Sequence, residues 1–195
     1  MLITFEGGDG AGKTTVIHRV KEFLEKRGEE VIVTREPGGV PLGEEIRHLL
    51  LNSKEQVTSV AELFLFLAAR AQHVEEKIKP ALKENKTVLC DRFTDSTLAY
   101  QGFARGFGIE NLFPLCNLAT GALTPHLTFY LDLDPEIGLK RAKGGDRMEK
   151  EEKLFHQKVR EGFLALASLY PTRIKKIDAS KSPEEVFQQI LPYLT

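Results

Sequence analysis

The sequence predicts an α/β fold, a five-stranded parallel sheet flanked by helices on both faces. Two observations predict it. Short β-rich runs alternate along the chain with longer stretches of helical period, the alternation that builds a parallel sheet with crossover helices. Four of the five runs are apolar almost throughout, as strands covered on both faces must be. No repeat, low-complexity stretch or linker interrupts the 195 residues, so 1–195 is expected to form one domain.

The predicted strands are Leu2-Ile3-Thr4-Phe5, Val31-Ile32-Val33-Thr34, Val88-Leu89-Cys90, Leu127-Thr128-Phe129-Tyr130-Leu131 and Arg173-Ile174-Lys175-Lys176-Ile177. The two lysines of the fifth suit a sheet edge. A first helix is expected from Lys13, with Val16, Val20, Phe23 and Leu24 on one face, ending at Gly28. Ser59-Val60-Ala61-Glu62 reads as a capping box opening a long helix whose stripe of Leu63, Leu67, Ala71, Val74 and Ile78 stops before Pro80. Asp134-Pro135 opens another helix, and Leu154, Val159, Phe163, Leu166 and Leu169 mark the buried face of a further one. The last helix starts at Ser182, with Pro183 at its first position and Glu185 reaching back.

Between the first strand and the first helix stands Gly7-Gly8-Asp9-Gly10-Ala11-Gly12-Lys13-Thr14, followed by Thr15. It satisfies G-x-x-x-x-G-K-[ST] in the strand–loop–helix context the motif requires, which makes the predicted fold that of a P-loop NTPase. Glycines let backbone N–H groups curl round phosphates, and the helix N-terminus adds partial positive charge. Lys13 is placed to bridge the β- and γ-phosphates, and Thr14 offers a hydroxyl to Mg²⁺. ATP and Mg²⁺ are the ligands implied. The third strand delivers Asp91 to the carboxyl edge of the sheet, where open α/β folds bind ligands, so Asp91 is the Walker B candidate, holding Mg²⁺ directly or through water.

Composition narrows the partners. Basic and acidic residues number 27 and 28, a net charge of -1, which leaves no global field for nucleic acid and only a local pocket for phosphates. No apolar run approaches a membrane span and no signal segment opens the chain, so a cytoplasmic protein is expected. Cys90 and Cys116 lie far apart and are read as reduced thiols without a role. An Asn-Lys-x-Asp guanine reader is missing. Instead arginines recur at Arg35, Arg47, Arg70, Arg92, Arg141 and Arg147, and the planar guanidinium suits a second anionic ligand beside the loop.

Five segments then carry a resemblance over nearly the whole chain: Phe5 to Thr15, Arg35-Glu36-Pro37-Gly38-Gly39, Leu65 to Arg70, Asp91 to Gly102, and Asp132 to Glu136. In these the chain resembles thymidylate kinase of the bacterial type. The resemblance implies transfer of the γ-phosphate of ATP to dTMP, giving dTDP for dTTP synthesis. It implies that Phe66 stacks on thymine, with Arg70 on the same helix face reaching a base carbonyl. Arg92 would grip the acceptor phosphate, and Arg47, Gln101 and Thr97 would line the base pocket with Glu36 and Pro37. Asp9 would touch the 3'-hydroxyl, and Tyr100 would crowd the 2'-position. The resemblance also implies a small helical lid, here about 143–151; family members without an arginine at the position of Gly10 place basic residues in it, and Arg141, Lys143 and Arg147 are the cations. Arg147 is chosen for the transferred phosphoryl group, and Arg141 and Ala179 are assigned to the ATP side.

The expected chemistry needs no general base, because the acceptor phosphate, with a second pKa of about 6, is already largely dianionic. No His–carboxylate pair is evident, and the five histidines are expected at the surface. The competing readings are a monophosphate kinase acting on dCMP, UMP or AMP, and a regulatory ATPase that transfers phosphate only to water. Leu63, Phe64 and Leu67 exceed what one helix stripe needs, which predicts a homodimer packed through helices.

Overall fold

The computed structural model describes every residue except 143, 144, 146 and 195. Lys143 and part of the expected lid therefore lie outside the described residues. Strands β1 (Leu2–Glu6), β2 (Val31–Arg35), β3 (Thr87–Asp91), β4 (Leu127–Asp132) and β5 (Ile174–Asp178) form one sheet in the order β2-β3-β1-β4-β5. Every neighbouring pair is parallel. The order reverses at β1, so its carboxyl end meets those of β3 and β4, and ligand sites form at such a switch point. Phe5 is in register with Asp91 and Glu6 with Tyr130, which sets the phosphate loop beside Asp91.

The β1 residues Leu2 to Glu6 are all buried, as two-sided cover demands. β5 lies at an edge, as its lysines foretold. β2 occupies the other edge and leaves Val33 exposed, so its apolar run is not that of a strand buried on both faces.

The helices are α1 (Lys13–Lys26), α2 (Pro41–Asn52), α3 (Ser59–His73), α4 (Lys79–Lys83), α5 (Thr94–Thr97), α6 (Ile109–Thr120), α7 (Pro135–Arg141), α8 (Lys153–Leu169) and α9 (Pro183–Ile190). Val16, Ile17, Val20 and Leu24 of α1 and Val186 and Ile190 of α9 pack with β1 and β4 into one core. A second core gathers Leu63, Leu67, Tyr100, Phe163 and Leu166 on the opposite side. Among the described residues no helix is long and apolar enough to cross a membrane.

Several local expectations change. The N-cap of α3 is Thr58, whose hydroxyl accepts from the Ala61 N–H, so Ser59 is already helical and Glu62 turns into the core rather than closing a capping box. Pro80 does not end the segment. A π-helical turn at Val74–Ile78 shifts the hydrogen-bond ladder, and Pro80 then sits in the first turn of α4, where no N–H is needed. In α8 the buried stripe is Phe155, Val159, Phe163 and Leu166, while Leu154, about 100° round the helix from Phe155, and Leu169, the last residue of the helix, face solvent. The capping box of Ser182 and Glu185 is present at α9.

Candidate active site

The loop of residues 7–12 rises from β1 and returns into α1, and Lys13 is buried beneath it. Its Nζ donates to the carbonyls of Gly7 at 3.2 Å and Gly8 at 3.0 Å. Burial, then the neighbouring Arg92, lower the Lys13 pKa from its ordinary value. The cleft above the loop is lined by Gly10, Gly12, Lys13, Thr14, Thr15 and Asp91, with Arg141 from α7 on its rim. Arg141 also donates to the Ala179 carbonyl at 3.4 Å, but Ala179 itself is buried in the core and does not line the cleft. Ala11 points into the core. A Cβ on Gly10, whose φ is +72°, would lie 2.0 Å from the Gly138 carbonyl oxygen. The backbone of α7 thus occupies the space that a side chain at position 10 would need.

Asp91 Oδ1 is buried without a hydrogen-bond partner among the described residues, and Thr14 lines the same cleft. An orphaned carboxylate oxygen beside a hydroxyl, in a cleft for polyphosphate, fits a hard divalent cation.

Arg92 follows Asp91 with φ 69°, a left-handed conformation that costs a non-glycine residue roughly 1–3 kcal/mol and persists where the surroundings over-determine it. Its guanidinium donates to Asp9 Oδ1 at 2.6 Å, the Gly7 carbonyl at 3.0 Å and Ser96 Oγ at 3.3 Å, and it lies 5.2 Å from the Tyr100 ring centroid. Burial raises the Asp9 pKa, but Arg92 and Lys13 more than offset it and hold the carboxyl below its ordinary value. Below Arg92, Glu6 is fully buried and accepts from the N–H groups of Phe93 and Ser96 and from the Ser96 hydroxyl. Burial first, then Asp95, push the Glu6 pKa up to about 8.

A second pocket opens beside the first. All the residues predicted for substrate line it: Asp9, Glu36, Pro37, Arg47, Phe66, Arg70, Arg92, Thr97, Tyr100 and Gln101. The structure adds Leu51, Ser96 and Met148. The two clefts share Asp9, Glu36, Arg47 and Arg92.

Arg70 is buried and held by three acceptors, Glu36 Oε2 at 2.7 Å, Thr97 Oγ1 at 2.7 Å and the Phe93 carbonyl at 2.9 Å. His73 gives a correction, for it is fully buried, with Nδ1 3.0 Å from Glu36 Oε1 and Nε2 2.7 Å from Thr34 Oγ1. His156 is buried too. A His–carboxylate pair thus exists, but it braces the pocket floor. Gly39 is where a Cβ would lie 2.6 Å from His73 Nε2 and 2.7 Å from Thr34 Oγ1, so the second glycine of Arg-Glu-Pro-Gly-Gly makes room for that histidine.

Sequence reasoning also missed Glu62. It is buried, and its carboxylate receives Gln101 Nε2 at 3.0 Å, Arg105 Nε at 3.3 Å and an Arg147 terminal nitrogen at 2.5 Å. Arg147 Nε also donates to the Leu50 carbonyl at 2.8 Å. Arg147 is therefore at the pocket end and is not brought to the phosphate loop. A signal was available: Glu62, Arg70 and His73 fall at helical spacing along α3, polar residues beside the apolar stripe.

Comparison with known proteins agrees with this geometry. Residues 5–190 match the family model described as Thymidylate kinase. A thymidylate kinase of Protochlamydia amoebophila is 50% identical, covering 99% of this chain and 91% of its own length. One from Synechococcus sp. (strain JA-3-3Ab) is 52% identical, covering 97% of this chain and 93% of its own length. The crystal structure of thymidylate kinase from Ehrlichia chaffeensis superposes with a TM-score of 0.82 at 36% identity, over 100% of this chain and 98% of that one.

Proposed function

We propose a reading that proceeds from one premise: the chain belongs to the thymidylate kinase family. It is an ATP:dTMP phosphotransferase, moving the γ-phosphate of ATP to dTMP to give dTDP, a step toward dTTP. One observation carries the residue-level account. The phosphate-loop cleft and the pocket built on Arg70 meet at Asp9 and Arg92, where two phosphorylated ligands can be brought end to end.

ATP sits with its triphosphate over residues 7–15, and Lys13 exchanges its two loop carbonyls for phosphate oxygens. Arg141 holds the nucleotide side. Thr14 and Asp91 would hold Mg²⁺, which supplies charge neutralisation to the phosphates. dTMP places its base against Phe66, with Arg70, Thr97, Gln101 and Arg47 around the edge, while Glu36 and Pro37 close the floor. Asp9 takes the 3'-hydroxyl, and the buried Tyr100 ring fills the space a 2'-hydroxyl needs. Arg92, fixed by Asp9 and Gly7, grips the acceptor phosphate.

The acceptor is already an anion, so the protein's work is alignment and charge neutralisation by Lys13, Arg92 and the lid cations. Arg141 faces the donor cleft in this structure. Arg147 reaches the transferred group when lid closure makes it release Glu62, and the same closure excludes water. Lys13→Ala, with unchanged circular dichroism, is expected to lose at least about a hundredfold in kcat; near-parental turnover removes Lys13 from the mechanism. A coupled ADP-release assay across dTMP, dCMP, UMP and AMP tests the acceptor, and preference for any base other than thymine overturns it. Hydrolysis of ATP unaffected by any acceptor favours the regulatory ATPase instead.

A homodimer and a cytoplasmic location belong to the same reading. Leu63 and Leu67 turn out to be core residues, but Val60 and Phe64 of α3 and Phe113 and Leu118 of α6 are exposed, an apolar surface suited to a second copy. Sedimentation showing only monomer at micromolar concentration refutes the dimer.

A further inference from the structure

The Glu62 carboxylate lies at the edge of the proposed base pocket and is tied to no proposed ligand directly. Two arginines and one amide converge on it. Burial raises its pKa, but the bonds from Gln101, Arg105 and Arg147 bring it below the ordinary value. It is a carboxylate, and a carboxylate can only accept hydrogen bonds. An amide facing it has one possible orientation, with the nitrogen toward the carboxylate, which is what the 3.0 Å contact from Gln101 Nε2 to Glu62 Oε1 shows. The nitrogen end of the Gln101 amide is thereby turned to Glu62, and Oε1 is the end left for the pocket that Gln101 lines. Arg70, a donor-only group, lines the same pocket.

We propose that Glu62 is a specificity-determining positioning residue, which selects a thymine- or uracil-type base over cytosine by fixing Gln101 with its acceptor toward the base. Thymine and uracil carry an acceptor carbonyl next to an N3–H donor, and that edge matches a donor from Arg70 and an acceptor from Gln101. Cytosine presents the reverse, an amino donor beside an N3 acceptor, so its N3 would face the Gln101 oxygen with no proton between them. An amide alone would offer no such rejection, since rotation by half a turn exchanges its donor and acceptor ends. Glu62 removes that freedom. A second, metal-like arrangement nearby does not compete: the donor atoms of Glu36, His73 and Cys90 lie within 4.8 Å of one another, but Arg70 already occupies Glu36 and burial keeps the Cys90 thiol protonated.

This inference rests on the thymidylate kinase reading, and the experiment separates the two. The measured quantity is the ratio of kcat/KM for dTMP to that for dCMP. If the parent protein shows no preference for dTMP, the functional reading fails before Glu62 is tested. Glu62→Gln is close in shape but can donate, which lets the Gln101 amide turn over. Its ratio is expected to fall at least about tenfold, with activity on dCMP rising in absolute terms. Arg105→Met removes a different contact to the same carboxylate and leaves the Gln101 bond, so its ratio should stay within twofold of the parent. A Glu62→Gln ratio within twofold of the parent, or an Arg105→Met ratio that falls equally, overturns the proposal, because loss of packing or charge alone lowers both substrates together. Should Glu62→Gln fail to fold, dTMP methylated at N3 decides the matter on the parent protein. It lacks the donor and is expected to lose at least about tenfold in binding relative to dTMP; equal binding refutes an acceptor at Gln101.

Discussion

Replacing Gly10 by alanine tests whether the phosphate loop and α7 are one mechanical unit. The new Cβ would start 2.0 Å from the Gly138 carbonyl oxygen and 2.7 Å from its carbon, both backbone atoms, where real Cβ contacts do not fall below 3.0 Å. No side chain can swing away, so the loop or the helix must move by about 1 Å, and overpacking of this kind costs about 1–3 kcal/mol. The φ of +72° adds the left-handed penalty of about 1–2 kcal/mol for an L-residue. Together these set an expected destabilisation of about 2–5 kcal/mol, read from urea unfolding midpoints at unchanged slope. A displacement near 1 Å at the loop should also reduce kcat at saturating ATP and dTMP by about a hundredfold. A variant within about 0.5 kcal/mol of the parent, the range of an ordinary surface change, and within twofold in kcat would show that loop and helix are not in the contact described.

Asp91→Asn should raise the Mg²⁺ concentration for half-maximal activity by about tenfold or more, leaving the KM for dTMP within twofold; an unchanged Mg²⁺ titration removes Asp91 from metal binding. Glu6 gives a pH dependence of known sign. Its folded pKa is raised to about 8 from 4.5, so the folded state keeps a proton that the unfolded chain releases. The stability it confers is complete below pH 4.5 and is lost as pH rises through about 8. Glu6→Gln, which stays neutral, should therefore show a smaller fall in Tm between pH 5.5 and pH 8.5, and an equal fall contradicts the assignment. Arg173 holds buried Asp95 through two contacts of 2.6 and 2.8 Å. Arg173→Met, which leaves that carboxylate unpaired, should cost about 3–5 kcal/mol by urea unfolding, and a cost below about 1 kcal/mol would mean that water satisfies Asp95.

Patterns that depend on neighbours along the chain were legible. The phosphate loop is such a pattern, because its glycines, Lys13 and Thr14 must be consecutive to curl round one ligand, and so is the capping box at Ser182. The parallel sheet followed from runs that are apolar throughout, although the run at Val31 could not reveal its edge position, since an edge strand with one covered face can be as apolar as a central one. Long-range polar meetings were not legible. Glu62 reaches Gln101, Arg105 and Arg147 from separate segments, and His73 reaches Glu36 and Thr34 across the sheet edge. Helical period says which side of α3 is covered, and it is silent on which buried charges find each other. The π turn at Val74–Ile78 was hidden for a related reason: Pro80 reads as a terminator unless the ladder ahead of it has already slipped.

Lys13 does not wait in the cleft as a loose cation, because two carbonyls of its own loop already hold it. Under the proposed function, the free energy released when a triphosphate arrives is the difference between two sets of partners, not the full strength of an ammonium–phosphate contact. That difference matters most after transfer. Once the donor has shortened to a diphosphate and offers fewer oxygens, the ammonium has a place to return to within the same turn of chain. Under the proposed function, departure of the spent nucleotide leaves the ammonium hydrogen-bonded within its own loop, as it is here.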